Sequence, residues 1–145
     1  MLRRVTFITA GVLLCAAGLV AQQDAVAQDP QKRTTKDGVF SAAQADTGKA
    51  SFEKLCASCH AFAPWEKSSL SPDLAGSVFM DKWNTRPVLD LITVIFTSMP
   101  NDGSAFLDEQ QSADLTAYIL QQNGSPAGDA TLKADAAAGQ TTIVK

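Results

Sequence analysis

Apolar positions recur along this chain every three to four residues, and no run shows the two-residue alternation of a half-buried strand. Between Thr47 and Leu55, Gly48, Phe52 and Leu55 share one helical face that Cys56 continues. This predicts a short amphipathic helix with Asp46 as its N-cap. Ser77 to Asn84 predicts a second short helix passing through Trp83. Pro87 suits a helix's first turn, and Val88, Leu89, Leu91, Ile92, Ile95 and Phe96 supply a broad apolar face as far as Ser98. Pro100 then prevents continuation. A further helix is expected from Glu109 to Gln122, opened by a capping box between Asp108 and Gln111 and closed at Gly124. Leu115, Tyr118, Ile119 and Leu120 lie along one side of it. The expected class is all-α.

Between these elements the pattern lapses. Residues 61 to 77 hold Pro64, Pro72, Gly76 and four serines, a composition for an irregular loop. Residues 28 to 45 are polar and interrupted by Pro30 and Gly38, so they read as a mobile lead-in with Val39 and Phe40 touching the core. The ordered domain is expected over residues 46 to 124, followed by a tail over 125 to 145 that Ile143 and Val144 tack onto the domain surface. No repeat or second domain is visible.

Residues 1 to 27 read as an export signal rather than part of the fold. Arg3 and Arg4 give a basic start, Val5 to Ala21 form a mostly apolar run, and Ala25-Val26-Ala27 has the small-x-small pattern of a cleavage site. The alternative is a retained anchor, but Thr6, Thr9, Gly11 and Gly18 dilute a run already slightly short of the roughly 20 residues that span a membrane. Cys15 follows Leu13 and Leu14, not the small residues that lipid modification needs, and reads as part of the apolar signal core. Cleavage implies a periplasmic product with no stable membrane insertion. It also removes two of the 12 basic residues and one of the 15 acidic ones, leaving 10 and 14 and a net charge of −4. An acidic domain of this kind is not expected to bind nucleic acid.

The most specific chemistry lies in Cys56-Ala57-Ser58-Cys59-His60, which reads as a c-type haem attachment site. On a helical turn, positions i, i+3 and i+4 share one face, so two thiols can join the two vinyl groups of one flat ligand while the imidazole reaches its iron. Zinc fits poorly, because the mature chain has only these three cysteine and histidine ligands and a structural site wants four. A thioredoxin-like dithiol would sit between a strand and a helix, and no strand pattern precedes Cys56. A disulfide between cysteines this close would close almost no loop and stabilise little.

With these residues in view, positions 46 to 124 resemble a class I c-type cytochrome, a fold of three to five short helices around one covalently attached haem c. In that family a glycine and an aromatic four apart precede the first cysteine by eight and four residues, as Gly48 and Phe52 precede Cys56. The resemblance implies that the helix of Gly48 crosses the last helix closely at Leu115 and Tyr118, where a side chain would obstruct it. Ser71-Pro72-Asp73-Leu74-Ala75-Gly76 resembles the family loop whose proline carbonyl accepts the Nδ1 hydrogen of the haem histidine. It implies Pro72 as partner of His60, fixing its tautomer and raising its basicity, and Leu74 as a haem wall. The family usually has glycine where Ser71 and Ala61 stand, so the loop path differs locally.

For a second axial ligand the mature chain offers two thioethers, Met80 and Met99. Met99 is favoured: it follows an apolar helix, is held by Pro100, and Thr97-Ser98-Met99-Pro100 resembles the family's ligand loop. Met80 lies between Phe79 and Trp83, where a packing role is expected. Trp83 is expected at the haem edge with its indole hydrogen available to a propionate, the alternative being plain rim packing. Arg86 is expected as a solvated charge, the alternative being a bond to a propionate.

Histidine and methionine together favour the ferrous state and fill both axial positions, so the expected role is electron transfer rather than catalysis. The alternatives are a haem enzyme or a gas- or peroxide-reactive protein with five-coordinate iron, and a cytochrome subunit docked in a dehydrogenase complex. The stretches Gly38 to Gln44 and Asn123 to Gly128 resemble c-type domains that accompany bacterial quinoprotein dehydrogenases. That implies such a dehydrogenase as electron donor and a terminal oxidase or another cytochrome as acceptor.

Overall fold

The computed structural model describes residues 32–62 and 71–145. The leader expected over residues 1–27, including Cys15, lies outside them, as does Pro64. In chain order the elements are β1 (Arg33–Thr34), α1 (Ala42–Leu55), α2 (Gly76–Trp83), α3 (Val88–Ser98), α4 (Glu109–Gln122), α5 (Ala136–Gln140) and β2 (Thr141–Thr142). The fold is all-α, as the periodicity predicts, with one two-residue strand pair among the described residues.

Helix α1 begins five residues earlier than expected. Its N-cap is Ser41, whose hydroxyl accepts the Gln44 amide at 3.2 Å, and Asp46 lies within the helix. Gln44 itself is buried. Its amide nitrogen donates to the Leu132 carbonyl at 2.8 Å and to Asp114 Oδ1 at 2.9 Å, and its oxygen accepts the Leu132 amide at 2.8 Å. The first turn of α1 is thereby tied to the segment after α4. Helix α4 has the expected capping box: Gln111 N donates to Asp108 Oδ1 at 2.7 Å and Asp108 N to Gln111 Oε1 at 3.0 Å. It ends in a Schellman arrangement, with Ser125 N on Leu120 O and Gly124 N on Gln121 O, and Gly124 takes the left-handed φ of 78° that this ending requires.

Helices α1 and α4 cross at Gly48. A Cβ built there would overlap the Asp114 carbonyl and approach Tyr118 Cβ to 3.0 Å, so the two backbones meet only because position 48 has no side chain. Helix α3 packs on α4, and the core gathers Phe40, Phe52, Phe79, Leu91, Ile92, Ile95, Leu115, Leu120 and Ile143.

Both terminal segments depart from expectation. In the described part of the lead-in Val39 and Phe40 are buried, as expected, but the segment is also held by pairing: β1 runs parallel to β2, Arg33 opposite Thr141 and Thr34 opposite Thr142. The tail over 125–145 enters the core through Leu132, Ala138 and Ile143 rather than lying on the surface. Backbone pairing explains both. Thr35 N donates to Thr142 O at 3.0 Å, Thr85 N to Ile143 O at 2.8 Å and Ile143 N to Arg86 O at 2.9 Å, so segments distant in sequence satisfy one another's peptide groups.

Candidate functional site

The end of α1 runs directly into the Cys56–His60 turn. Cys56 N still bonds Phe52 O at 2.9 Å, and the Cys56 carbonyl then accepts the amides of Cys59 at 3.0 Å and His60 at 2.9 Å. Those two bonds gather both thiols and the imidazole on one turn. Each cysteine is a free, half-buried thiol. Burial, with the neighbouring Cys59 second, pushes the Cys56 thiol up to about 11, so without a partner it holds its proton.

His60 Nδ1 lies 3.0 Å from the Pro72 carbonyl oxygen. A carbonyl only accepts, so Nδ1 carries the hydrogen and Nε2 is left with a lone pair for a ligand. The loop that presents Pro72 is tied back beside the histidine, Leu74 N donating to Ala61 O at 2.8 Å. Ala61 is buried, and Leu74 packs against the core. The departures from glycine at Ala61 and Ser71 leave this pairing intact.

Behind the turn, Phe52, Phe62 and Tyr118 form an aromatic trio with ring centroids 4.7 to 5.6 Å apart. Trp83, 4 % exposed, stacks on Phe79, with the Lys82 ammonium 5.2 Å and the Arg86 guanidinium 4.8 Å from its ring centre. Arg86 also pairs with Asp90 at 2.9 Å, so it is not simply a solvated charge. The described residues give the Trp83 indole N–H no hydrogen-bond acceptor, which is unusual for a buried indole. Met80 is buried in the core, in keeping with a packing role. Met99 caps α3, its amide on Ile95 O, and lines a cavity of about 530 Å³ with Phe96, Pro100, Ala105, Phe106 and Leu107. Phe106 is 98 % exposed beside it.

These residues fit a covalently held haem. Among the described residues no three His, Cys, Asp or Glu side chains converge on one metal ion, so the two thiols and imidazole are not arranged as a chelate. They present two free sulfurs and one nitrogen lone pair from a single turn. A thioether stands elsewhere at a cavity wall, and a buried indole N–H lacks an acceptor that a propionate would supply.

Comparison with known families decides the class. The family described as cytochrome c oxidase, cbb3-type, subunit III matches residues 43–119. The chain belongs to this family of c-type cytochrome domains. No curated protein and no solved structure gives a significant match. A c-type cytochrome domain implies haem c, electron transfer as its chemistry, and redox proteins as partners. Among the described residues no helix is long and apolar enough to cross a membrane.

Two bonding residues of this cytochrome domain are not announced by the sequence. Gln44 anchors the start of α1, and the only sequence sign was its position three after Ser41. Asn123, just outside the matched segment, donates to Leu74 O at 2.8 Å and accepts from Gly76 N at 3.2 Å. Nothing local in the sequence announces a contact spanning 49 residues.

Proposed function

We propose that this chain is an exported, periplasmic carrier of single electrons holding one haem c, with His60 and Met99 as axial ligands. The observation that carries the reading is the Cys56–His60 turn, in which both thiols are free and the imidazole's Nδ1 is committed to the Pro72 carbonyl. When bound, the haem supplies a one-electron change between Fe(III) and Fe(II). The residues of the chain do the rest. Cys56 and Cys59 anchor the ring through their sulfurs, so it is not lost as charge changes. His60 offers Nε2, with its tautomer and basicity set by Pro72. Met99 would offer a thioether, which favours the reduced state, so that both protein ligands would come from this chain. Leu74 would exclude water from one side of the ring, and Trp83 would offer its indole N–H to a propionate.

On the donor side we assign a quinoprotein dehydrogenase, following the resemblance around Gly38–Gln44 and Asn123–Gly128. On the acceptor side we assign a terminal oxidase or another cytochrome, which the family's description as an oxidase subunit supports. The leader features at Arg3, Arg4 and Ala25–Ala27 support export, with Gln28 as the first mature residue. The test is an optical spectrum of the ferrous protein before and after carbon monoxide. An unchanged low-spin spectrum agrees with two protein ligands, and prompt carbon monoxide binding would instead indicate the five-coordinate gas- or peroxide-reactive alternative. Rapid reduction by a purified quinoprotein dehydrogenase is expected, and its absence would remove the donor assignment.

A further inference from the structure

Helix α2 starts without a side-chain cap of its own, because its N-cap position is Ala75. Its first amide, Gly76 N–H, is accepted instead by Asn123 Oδ1 at 3.2 Å, from the far end of α4. The same side chain turns its Nδ2 to the Leu74 carbonyl and to Ile119 O, both at 2.8 Å. Leu74 is therefore held through both peptide groups, its N–H on Ala61 O beside the histidine and its C=O on Asn123. Only Asp73 separates it from Pro72, so the torsions of Asp73 and Leu74 are all that lie between the two carbonyls. Few free torsions remain between the Asn123 amide and the carbonyl that accepts from His60.

We propose that Asn123 is a positioning residue for the haem histidine: its amide, through Leu74, holds the Pro72 carbonyl where His60 Nδ1–H can reach it. This inference rests on the proposed role of His60 as an axial ligand. Losing the hold weakens the Nδ1–H bond and makes the imidazole a poorer electron donor, so oxidised iron is less stabilised and the reduction potential rises.

Two variants of the full haem-loaded protein separate this from ordinary capping. Asn123→Ala removes every bond of the side chain, whereas Asn123→Asp keeps the acceptor for Gly76 N–H and sets a carboxylate against Leu74 O. Both are expected to speed solvent exchange of the His60 Nδ1 hydrogen by about fivefold to tenfold, the loss of roughly one hydrogen bond. Asn123→Ala should also raise the potential, whereas the added carboxylate of Asn123→Asp favours oxidised iron and offsets the rise, so that variant is read by exchange; neither should open the iron to carbon monoxide. If Asn123→Ala does not fold, Asn123→Asp carries the test alone. Unchanged exchange, or an unchanged potential in Asn123→Ala, even with a lowered Tm, would overturn the inference, as would faster exchange confined to Asn123→Ala. If oxidised wild-type protein shows no iron-shifted His60 resonances, the proposed function itself fails, and this inference falls with it.

Discussion

His60 Nδ1 and the Pro72 carbonyl oxygen stand 3.0 Å apart across 12 residues of chain. The contact decides which imidazole nitrogen carries hydrogen, and therefore which one is available outside the protein's own bonding. It also links the helix-terminal turn that holds the cysteines to the segment that carries Pro72 and Leu74. The site is thus built from backbone carbonyls as much as from side chains: Cys56 O gathers the turn, Pro72 O orients the ring and Ala61 O fixes Leu74.

The crossing of α1 and α4 sets the frame for this turn, and it depends on Gly48. Gly48→Ala should destabilise the protein by about 2 kcal/mol or more, because the added methyl meets the Asp114 backbone, which no rotamer change relieves. Thermal unfolding of the haem-loaded variant measures it. A change in Tm within error would mean that the helices cross further apart.

Gln44 provides a second structural test. Its amide satisfies both peptide groups of Leu132 in a buried setting. Gln44→Ala should cost about 1–3 kcal/mol by leaving them unpaired, a loss readable as a shift in denaturant midpoint at constant m. Gln44→Glu keeps the acceptor but loses the donors, and should also be less stable than wild type at neutral pH.

The two methionines should behave differently. Met99→Ala is expected to lower the reduction potential and admit carbon monoxide to the ferrous iron. Met80→Ala should do neither, but it should lower stability by about 2 kcal/mol or more as a buried side chain is lost. Potentiometry and carbon monoxide titration of both variants give the comparison, and the reverse pattern would move the ligand to Met80.

Cys56 sets a pH dependence in the chain without haem. Its folded pKa is raised from the ordinary 9.0 to about 11 by burial, so the fold favours the neutral thiol. The unfolded chain ionises first, so this contribution is complete below about 9 and is lost as pH rises toward about 11. Tm of the haem-free chain should fall across that window, and Cys56→Ser should remove part of the fall. Matching pH profiles for both chains would contradict the burial.

The sequence exposed what is local and periodic. Helices α3 and α4 carry their apolar faces and the Asp108–Gln111 capping box within a few residues, and Cys56, Cys59 and His60 declare their chemistry by spacing alone. The start of α1 at Ser41 was hidden because Gln44, polar and buried, makes its decisive bonds to Leu132, 88 residues away. Likewise Ile143 is buried through pairing with Thr85 and Arg86, and β1 finds β2 at the other end of the chain. Asn123 follows the same rule: beside Gly124 it reads as a helix end, and only the fold brings Leu74 and Gly76 to it.

Mass spectrometry of the purified exported protein under denaturing conditions tests the central claim most directly. A single species equal to the mature chain plus one haem is predicted, and replacing both Cys56 and Cys59 by serine should abolish it. A wild-type protein that appears as bare polypeptide would contradict covalent attachment and the function built on it.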